Sequence, residues 1–207
     1  ILGSGALALL QRLCVSNMDK PNGTIIYTQM CNDTGGIEAD VTFIRLGKDR
    51  FYLITGSGFG VHDSDWITRH LPADGSVHIV DVTSGIAVLN IVGPASRDVL
   101  AAASESDVSN AALPFSTARD IIVGAAPVRA ARIGYVGELG YELHIPTEFA
   151  AHVYDILWAA GQKSGIANVG YRAIDSPRME KGYVYWSSDI SPDYSPIEAG
   201  LGVRVHL

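Results

Sequence analysis

The sequence predicts a mixed α+β protein built from two similar halves that face one another across a cleft. Three observations predict it. Short β-branched and aromatic runs are interspersed with helical stretches along the whole chain. A glycine turn precedes a helix twice, in GSGALALLQRL from Gly3 and in GPASRDVLAAA from Gly93. In each half a Gly-rich hairpin then leads into a strand carrying an acidic residue of interest, Asp40 in the first and Glu142 in the second, which is the mark of an internal repeat. On this reading Asp40 and Glu142 are pseudo-equivalent, one pointing into the cleft from each half, where ligand sites commonly lie. The halves fall roughly at residues 1–85 and 86–207.

The elements follow in order. Gly3 to Cys14 reads as a short helix with Ser4 as its cap and Leu7, Leu10 and Cys14 on the buried face,. GTIIYTQM (Gly23 to Met30) is a strand, Asn32-Asp33-Thr34-Gly35-Gly36 is turn chemistry, and IEADVTFIRL (Ile37 to Leu46) is the strand that completes a hairpin,. RFYLIT (Arg50 to Thr55) is a further strand, followed by a Gly-rich turn at Gly56 to Gly60 and a helix around Asp63 to Leu71,. The second half places a strand at Ile86 to Val92, a helix from Gly93-Pro94 to Ala103, and strands around Arg129 to Ile133 and Tyr141 to Ile145. From Arg178 onwards, RMEKGYVYWSSDISPDYSPIEAGL has little periodicity after Tyr183 and reads as a functional loop or an interface,.

Composition narrows the function. The 207 residues are 47% hydrophobic and 18% charged, so a core can form and disorder is excluded,. Lys and Arg total 15 against 22 Asp and Glu, a formal net charge of −7. With no basic run, counterion-release binding to nucleic acid or to an anionic membrane has no footing. The apolar stretch Ile86 to Val92 is interrupted by Asn90 and is far shorter than the ~20 residues that span a bilayer, so a soluble protein is expected,. Cys14 and Cys31 lack the spacing of a metal knuckle or redox pair, which suits a reducing compartment and predicts neither disulfide nor metal,. ILGSGALALLQRLC has no basic lead or initiator Met, and Val203 and Val205 alternate like an unfinished strand before Leu207, so both ends read as truncated,.

The candidate chemistry is carried by carboxylates. In the strand Ile37 to Leu46, Ile37, Ala39, Val41 and Phe43 share one face, and Glu38, Asp40, Thr42 and Ile44 share the other,. Asp40 follows a tight Gly35-Gly36 turn, so it is either an exposed strand aspartate or an acid held rigidly beside a cleft. GYVGELGYELHI sets Tyr135, Glu138, Tyr141 and Glu142 around glycine turns. A carboxylate there is a turn-surface charge or a bidentate acceptor for a ring edge with two N–H donors, as in guanine or a pterin, with Tyr135 covering the ring. Arg172, Arg178 and Lys181 either pair with Asp175 and Glu180 or hold a ligand's carboxylate tail,. His62-Asp63 reads as a helix-cap pattern, because helix neighbours point apart. GSGFG lacks the ending of a phosphate loop, and no Ser-His or Cys-His signature is present,.

NDTGGIEADVTFIRL, GYVGELGYELHIP, SPRMEKGYVYW and SPIEAGLG, in that order, resemble the folate-binding domain of the glycine-cleavage aminomethyltransferase family. The tail MEKGYVYWSSDISPDYSPIEAGL and the turn TGSGFGVHD look closest to the C-terminal half of dimethylglycine and sarcosine dehydrogenases. The resemblance implies ferredoxin-like halves around a tetrahydrofolate pocket. It places an FAD domain upstream and a β-barrel domain downstream, both outside this chain. It puts the catalytic aspartate on Asp40, the pterin-binding glutamate on Glu142, and folate contacts on Tyr135, Tyr27 and Thr42. The family's arginine motif is altered here to RAIDS, with Ile174 at the arginine position, so Arg172 or Arg178 takes that role. Val136 departs from the Thr of many relatives.

The implied function is capture of an oxidised N-methyl group, as iminium or formaldehyde, to give 5,10-methylenetetrahydrofolate. The methylated amine is the substrate, and an electron-transfer partner belongs to the longer protein. The alternatives are a glycine-cleavage aminomethyltransferase or a non-catalytic folate-binding module. The compartment implied is the cytoplasm in a bacterium and the mitochondrial matrix in a eukaryote.

Overall fold

Asn32 closes the first turn as its chemistry predicts. Its Oδ1 accepts hydrogen bonds from the backbone N–H of Thr34 at 3.1 Å and of Gly36 at 2.9 Å, and Gly35 takes a φ of +85°,. The reversal pairs β1 (Ile25–Cys31) with β2 (Ile37–Gly47), and β3 (Arg50–Ile54) adds to the other edge of β2, all antiparallel. The computed structural model describes residues 1–206; Leu207 lies outside them. The chain divides into two compact units, Ile1–Asp81 with the tail from Val184, and Val82–Tyr183.

In the first unit, α1 (Ala6–Leu13) and α2 (Gly60–Arg69) complete the layer over the three-stranded sheet. Leu10, Met18, Phe43, Phe51 and Ile67 form its core and are at most 2% exposed. Each such burial is worth about 1.5–3 kcal/mol before entropy is counted. The buried face of α1 is Ala6, Leu9, Leu10 and Leu13; its N-cap is Gly5, not Ser4, and no side chain caps it.

The tail belongs to this unit, which corrects the expected boundary of 86–207 for the second half. Trp186 Nε1 donates to Ile37 O at 2.9 Å, Ile37 N–H donates to Tyr194 O at 2.9 Å, and His206 N–H donates to Val15 O at 2.7 Å. The valine alternation before the C-terminus does not make a strand either, because Gly202–Arg204 closes a 3₁₀ turn.

The second unit carries β4 (Ile86–Val92), α3 (Ser96–Ala103), β5 (Ala118–Val123), β6 (Ala126–Ala131), β7 (Gly140–Pro146), α4 (Ala150–Gly161) and α5 (Asp175–Glu180). Its antiparallel sheet runs β4-β7-β6-β5 over a core that includes Leu100, Leu113, Val123, Tyr141, Leu143 and Val153. β5, α4 and α5 are additions to the elements expected from sequence. Among the described residues no helix is long and apolar enough to cross a membrane.

The internal repeat is visible, but its register corrects the pairing of the two acids. Gly3 and Gly93 adopt φ of +121° and +117°, and each accepts a 3.0 Å bond from the first residue of the following helix, Ala6 or Ser96. Each helix ends in a bridge to the next strand, Cys14 to Met30 and Ser104 to Val123. Leu2 pairs with Arg50 as Val92 pairs with Gly140. Thus α1, β1, β2 and β3 correspond to α3, β5, β6 and β7. Asp40 lies on β2 and Glu142 on β7, the counterpart of β3, so the two are not equivalent positions.

Candidate functional site

The predicted two-face pattern of β2 holds through Thr42: Ile37, Ala39, Val41 and Phe43 are buried, whereas on the other face Glu38, Asp40 and Thr42 are half-buried and Ile44 is buried. Tyr27 pairs with Thr42 and Gln29 with Asp40 across β1 and β2, so these four side chains share one face,. Gln29 Nε2 donates to Asp40 Oδ1 at 2.7 Å, and Tyr27 also hydrogen-bonds the Asp40 carboxyl. The Arg204 guanidinium lies over the Tyr27 ring, 5.4 Å from its centroid. Burial pushes the Asp40 carboxyl above the usual carboxylate range; the bonds from Gln29 and Tyr27 oppose this, and the charge of Asp63 adds to it,.

Asp63 is 2% exposed, on the first turn of α2, and accepts a hydrogen bond from Thr55 Oγ1. His62 Nδ1 lies 3.0 Å from Asp63 Oδ1 and His62 Nε2 3.2 Å from Glu38 Oε1. An imidazolium satisfies both carboxylates as a double donor. The hydrogen bond to Asp63 is the main cause that raises the His62 pKa, with the charges of Asp63 and Glu38 adding to it. His62 and Asp63 therefore meet, contrary to the cap reading: no side chain caps α2, and the imidazole lies between Asp63 and Glu38 of β2. Trp186 stands 5.3 Å from the His62 ring and 4.9 Å edge-on from Phe59.

In the second unit, Glu142 sits on β7 between Asn90 of β4 and Ala131 of β6. Its side chain is 23% exposed, and Oε2 lies 3.7 Å from His144 Nε2. Tyr135 stacks on Tyr183 with centroids 6.1 Å apart at 21°. The adjoining turn needs glycine: Gly137 has φ +72°, and a Cβ there would meet Lys181 Cγ at 2.1 Å,. Arg178 is 7% exposed, with Nε on Asp175 Oδ1 at 2.9 Å and Nη1 on Tyr183 O at 3.0 Å. It thus takes up the internal pairing that sequence offered as one of its two roles. Arg172 is exposed on the 3₁₀ turn Tyr171–Ile174.

The structure groups Asp40, Tyr27 and Thr42 on one sheet face, and links Tyr135 through Tyr183 to Arg178. Sequence reasoning passed over Gln29 and the Glu38–His62–Asp63 chain. The signal for Gln29 was its place across the hairpin from Asp40.

Together these features define an α+β domain of two antiparallel sheets, repeated in topology, with a half-buried acid on the central strand of the first. The sequence pattern of the GCVT N-terminal domain family matches residues 1–207, and the chain belongs to that family. It is 39% identical to human mitochondrial sarcosine dehydrogenase, covering 100% of this chain and 24% of that protein. It is 33% identical to the aminomethyltransferase of Halothermothrix orenii, covering 98% of this chain and 56% of the relative. The crystal structure of glycine cleavage system aminomethyltransferase T from Bartonella henselae matches with a TM-score of 0.85 at 26% identity, over 99% of this chain and 54% of that one. The chain thus spans about a quarter of the dehydrogenase and about half of the aminomethyltransferases. Family and fold agree with the sequence reading.

Proposed function

We propose that this chain is a tetrahydrofolate-binding one-carbon transfer domain that captures the carbon of an oxidised N-methyl group. The observation that carries the proposal is Asp40, a half-buried acid held by Gln29 and Tyr27, in a chain of the GCVT N-terminal domain family. The donor set suits a reduced folate: Glu142 offers two acceptor oxygens to a pterin edge, and the Tyr135 ring offers a flat apolar face. Thr42 and Tyr27 extend the Asp40 face, and exposed Arg172 suits a carboxylate tail better than internally paired Arg178. When bound, tetrahydrofolate supplies weakly basic amine nitrogens as the acceptor of the one-carbon unit.

The work of the chain is to hold and to move a proton. Glu142 fixes orientation, because a carboxylate accepting two N–H bonds selects one edge of a ring. Asp40 accepts the proton released as the acceptor nitrogen forms its bond to carbon, and its carboxylate stabilises positive charge beside it. Partial burial brings its affinity for that proton closer to neutral pH, where a general base is most effective,.

The higher identity to a sarcosine dehydrogenase supports a place in a dehydrogenase of a methylated amine; the upstream FAD domain and the reducing compartment are carried into the proposal from the sequence motifs and the cysteine usage. The test is a fluorescence titration of reduced folate against the folded protein, read from Trp66, Trp158 and Trp186, followed by single-turnover methylene transfer. Saturable binding and transfer are expected; a folded protein without saturable binding refutes the proposal.

A further inference from the structure

Gln29 presents an unusual arrangement. The residue is 0% exposed, Nε2 bonds Asp40, and Oε1 is buried with no hydrogen-bond partner among the described residues. A buried amide end left unpaired is costly, because it has given up water and gained no partner. Since Oε1 has essentially no accessible surface, a ligand arriving from solvent cannot reach it. The group beside it that changes charge is Asp40, one cross-strand step away.

We infer that Gln29 is a positioning residue whose amide supports both protonation states of Asp40 by turning over about its terminal bond. With Asp40 ionised, Nε2–H donates to Oδ1, as observed. When Asp40 has taken a proton, the nitrogen that released it keeps the electron pair and an O–H bond forms on the carboxyl. A half-turn of the amide then brings Oε1 to accept that O–H. Oxygen and NH₂ are close in size, so the turn needs no extra volume. No oxidant or reductant is involved. The inference rests on the reading of Asp40 as the proton carrier, and its test uses no folate, so the two fail separately.

The other groups around this carboxyl are Tyr27 on β1, Glu38 on its own strand, and His62 and Asp63 on α2, with Arg204 over Tyr27. His62 is held by Glu38 and Asp63, and Tyr27 meets the carboxyl through its hydroxyl; Gln29 is the neighbour that carries a buried acceptor oxygen with no hydrogen-bond partner among the described residues.

The experiment is an infrared pH titration of the whole protein, following the carbonyl band of protonated Asp40, identified by its loss in Asp40→Asn. In Gln29→Leu, and in Gln29→Met as a second apolar variant, the band moves to higher wavenumber because the O–H has lost its acceptor. The midpoint rises by about one pH unit, since a bond to the ionised form outweighs one to the neutral form. In Gln29→Glu two carboxyls share one proton, and the upper of the two midpoints rises by about two units or more. An unmoved band in a folded apolar variant overturns the inference, whatever the midpoint does, because the midpoint also answers to the donor bond already present. If neither apolar variant folds, a rise of less than about one unit in Gln29→Glu does so.

Discussion

Glu142→Gln separates ligand recognition from folding. The side chain stands on the central part of β7, 23% exposed, with its nearest cationic candidate, His144 Nε2, at 3.7 Å, beyond hydrogen-bond range,. The variant keeps shape and strand position, so it should fold with a stability within about 0.5 kcal/mol of the parent. Binding is another matter. The amide replaces one acceptor oxygen with a donor, which faces an N–H of the pterin edge with no bond to give. Loss of a charge-assisted, two-point contact costs about 2–4 kcal/mol. At 23% exposure water relieves part of the mismatch, so the lower end applies, about 2 kcal/mol or roughly 30-fold in Kd. The assay is tryptophan fluorescence titration of both proteins with a reduced folate, with circular dichroism melts as the fold control. A Kd within about threefold of the parent, in a folded variant, refutes the assignment of Glu142 as the pterin acceptor.

Other outcomes follow from the same geometry. Asp63→Asn removes the like charge that adds to burial in raising Asp40, so the acid limb of the transfer rate moves to lower pH, by less than about one unit because burial is the larger cause,. His62 has its pKa raised in the fold, so its stabilising contribution is complete below the ordinary value of 6.5 and is lost as pH rises through the raised one,. His62 is exposed, so urea midpoints should show a loss of less than about 1 kcal/mol across that window, which His62→Gln abolishes,. Gly36→Ala drives a Cβ to 1.8 Å from Pro192 O, a backbone atom that cannot swing aside. About 1–3 kcal/mol should be lost, and limited proteolysis should cut the tail after Val184 sooner.

Much of the first unit was legible because its signals were local. Period-two alternation and the Asn32-to-Gly36 turn gave the hairpin, and the same alternation put Asp40 and Thr42 on the polar face. The second unit was read less completely. APVRAA is half alanine, and in ARDIIV the β-branched signal is confined to the three residues Ile121-Ile122-Val123, so the glycine at position 124, with φ +57°, was the main mark of the hairpin between β5 and β6. Leaving out β5 shifted the strand count by one and moved the strand of Glu142 from third place to second, which is how Asp40 and Glu142 came to be matched. In α4 the spacing of Val153 and Leu157 was present but unread. The return of the tail to the first unit rests on long-range bonds from Trp186 and Tyr194 to Ile37, for which no local pattern exists. His62 bridges Asp63 and a strand residue, Glu38, that is 24 positions away from it.

The central claim, that Asp40 handles the transferred proton while other residues hold the folate, is tested most directly by Asp40→Asn. Single-turnover methylene transfer and folate affinity are measured on the same full-length preparation. The account predicts a transfer rate lower by about a hundredfold or more, with Kd changed by less than about tenfold and the pH dependence assigned to Asp40 gone. A variant that transfers at the parental rate, or that loses binding in proportion to its rate, contradicts it.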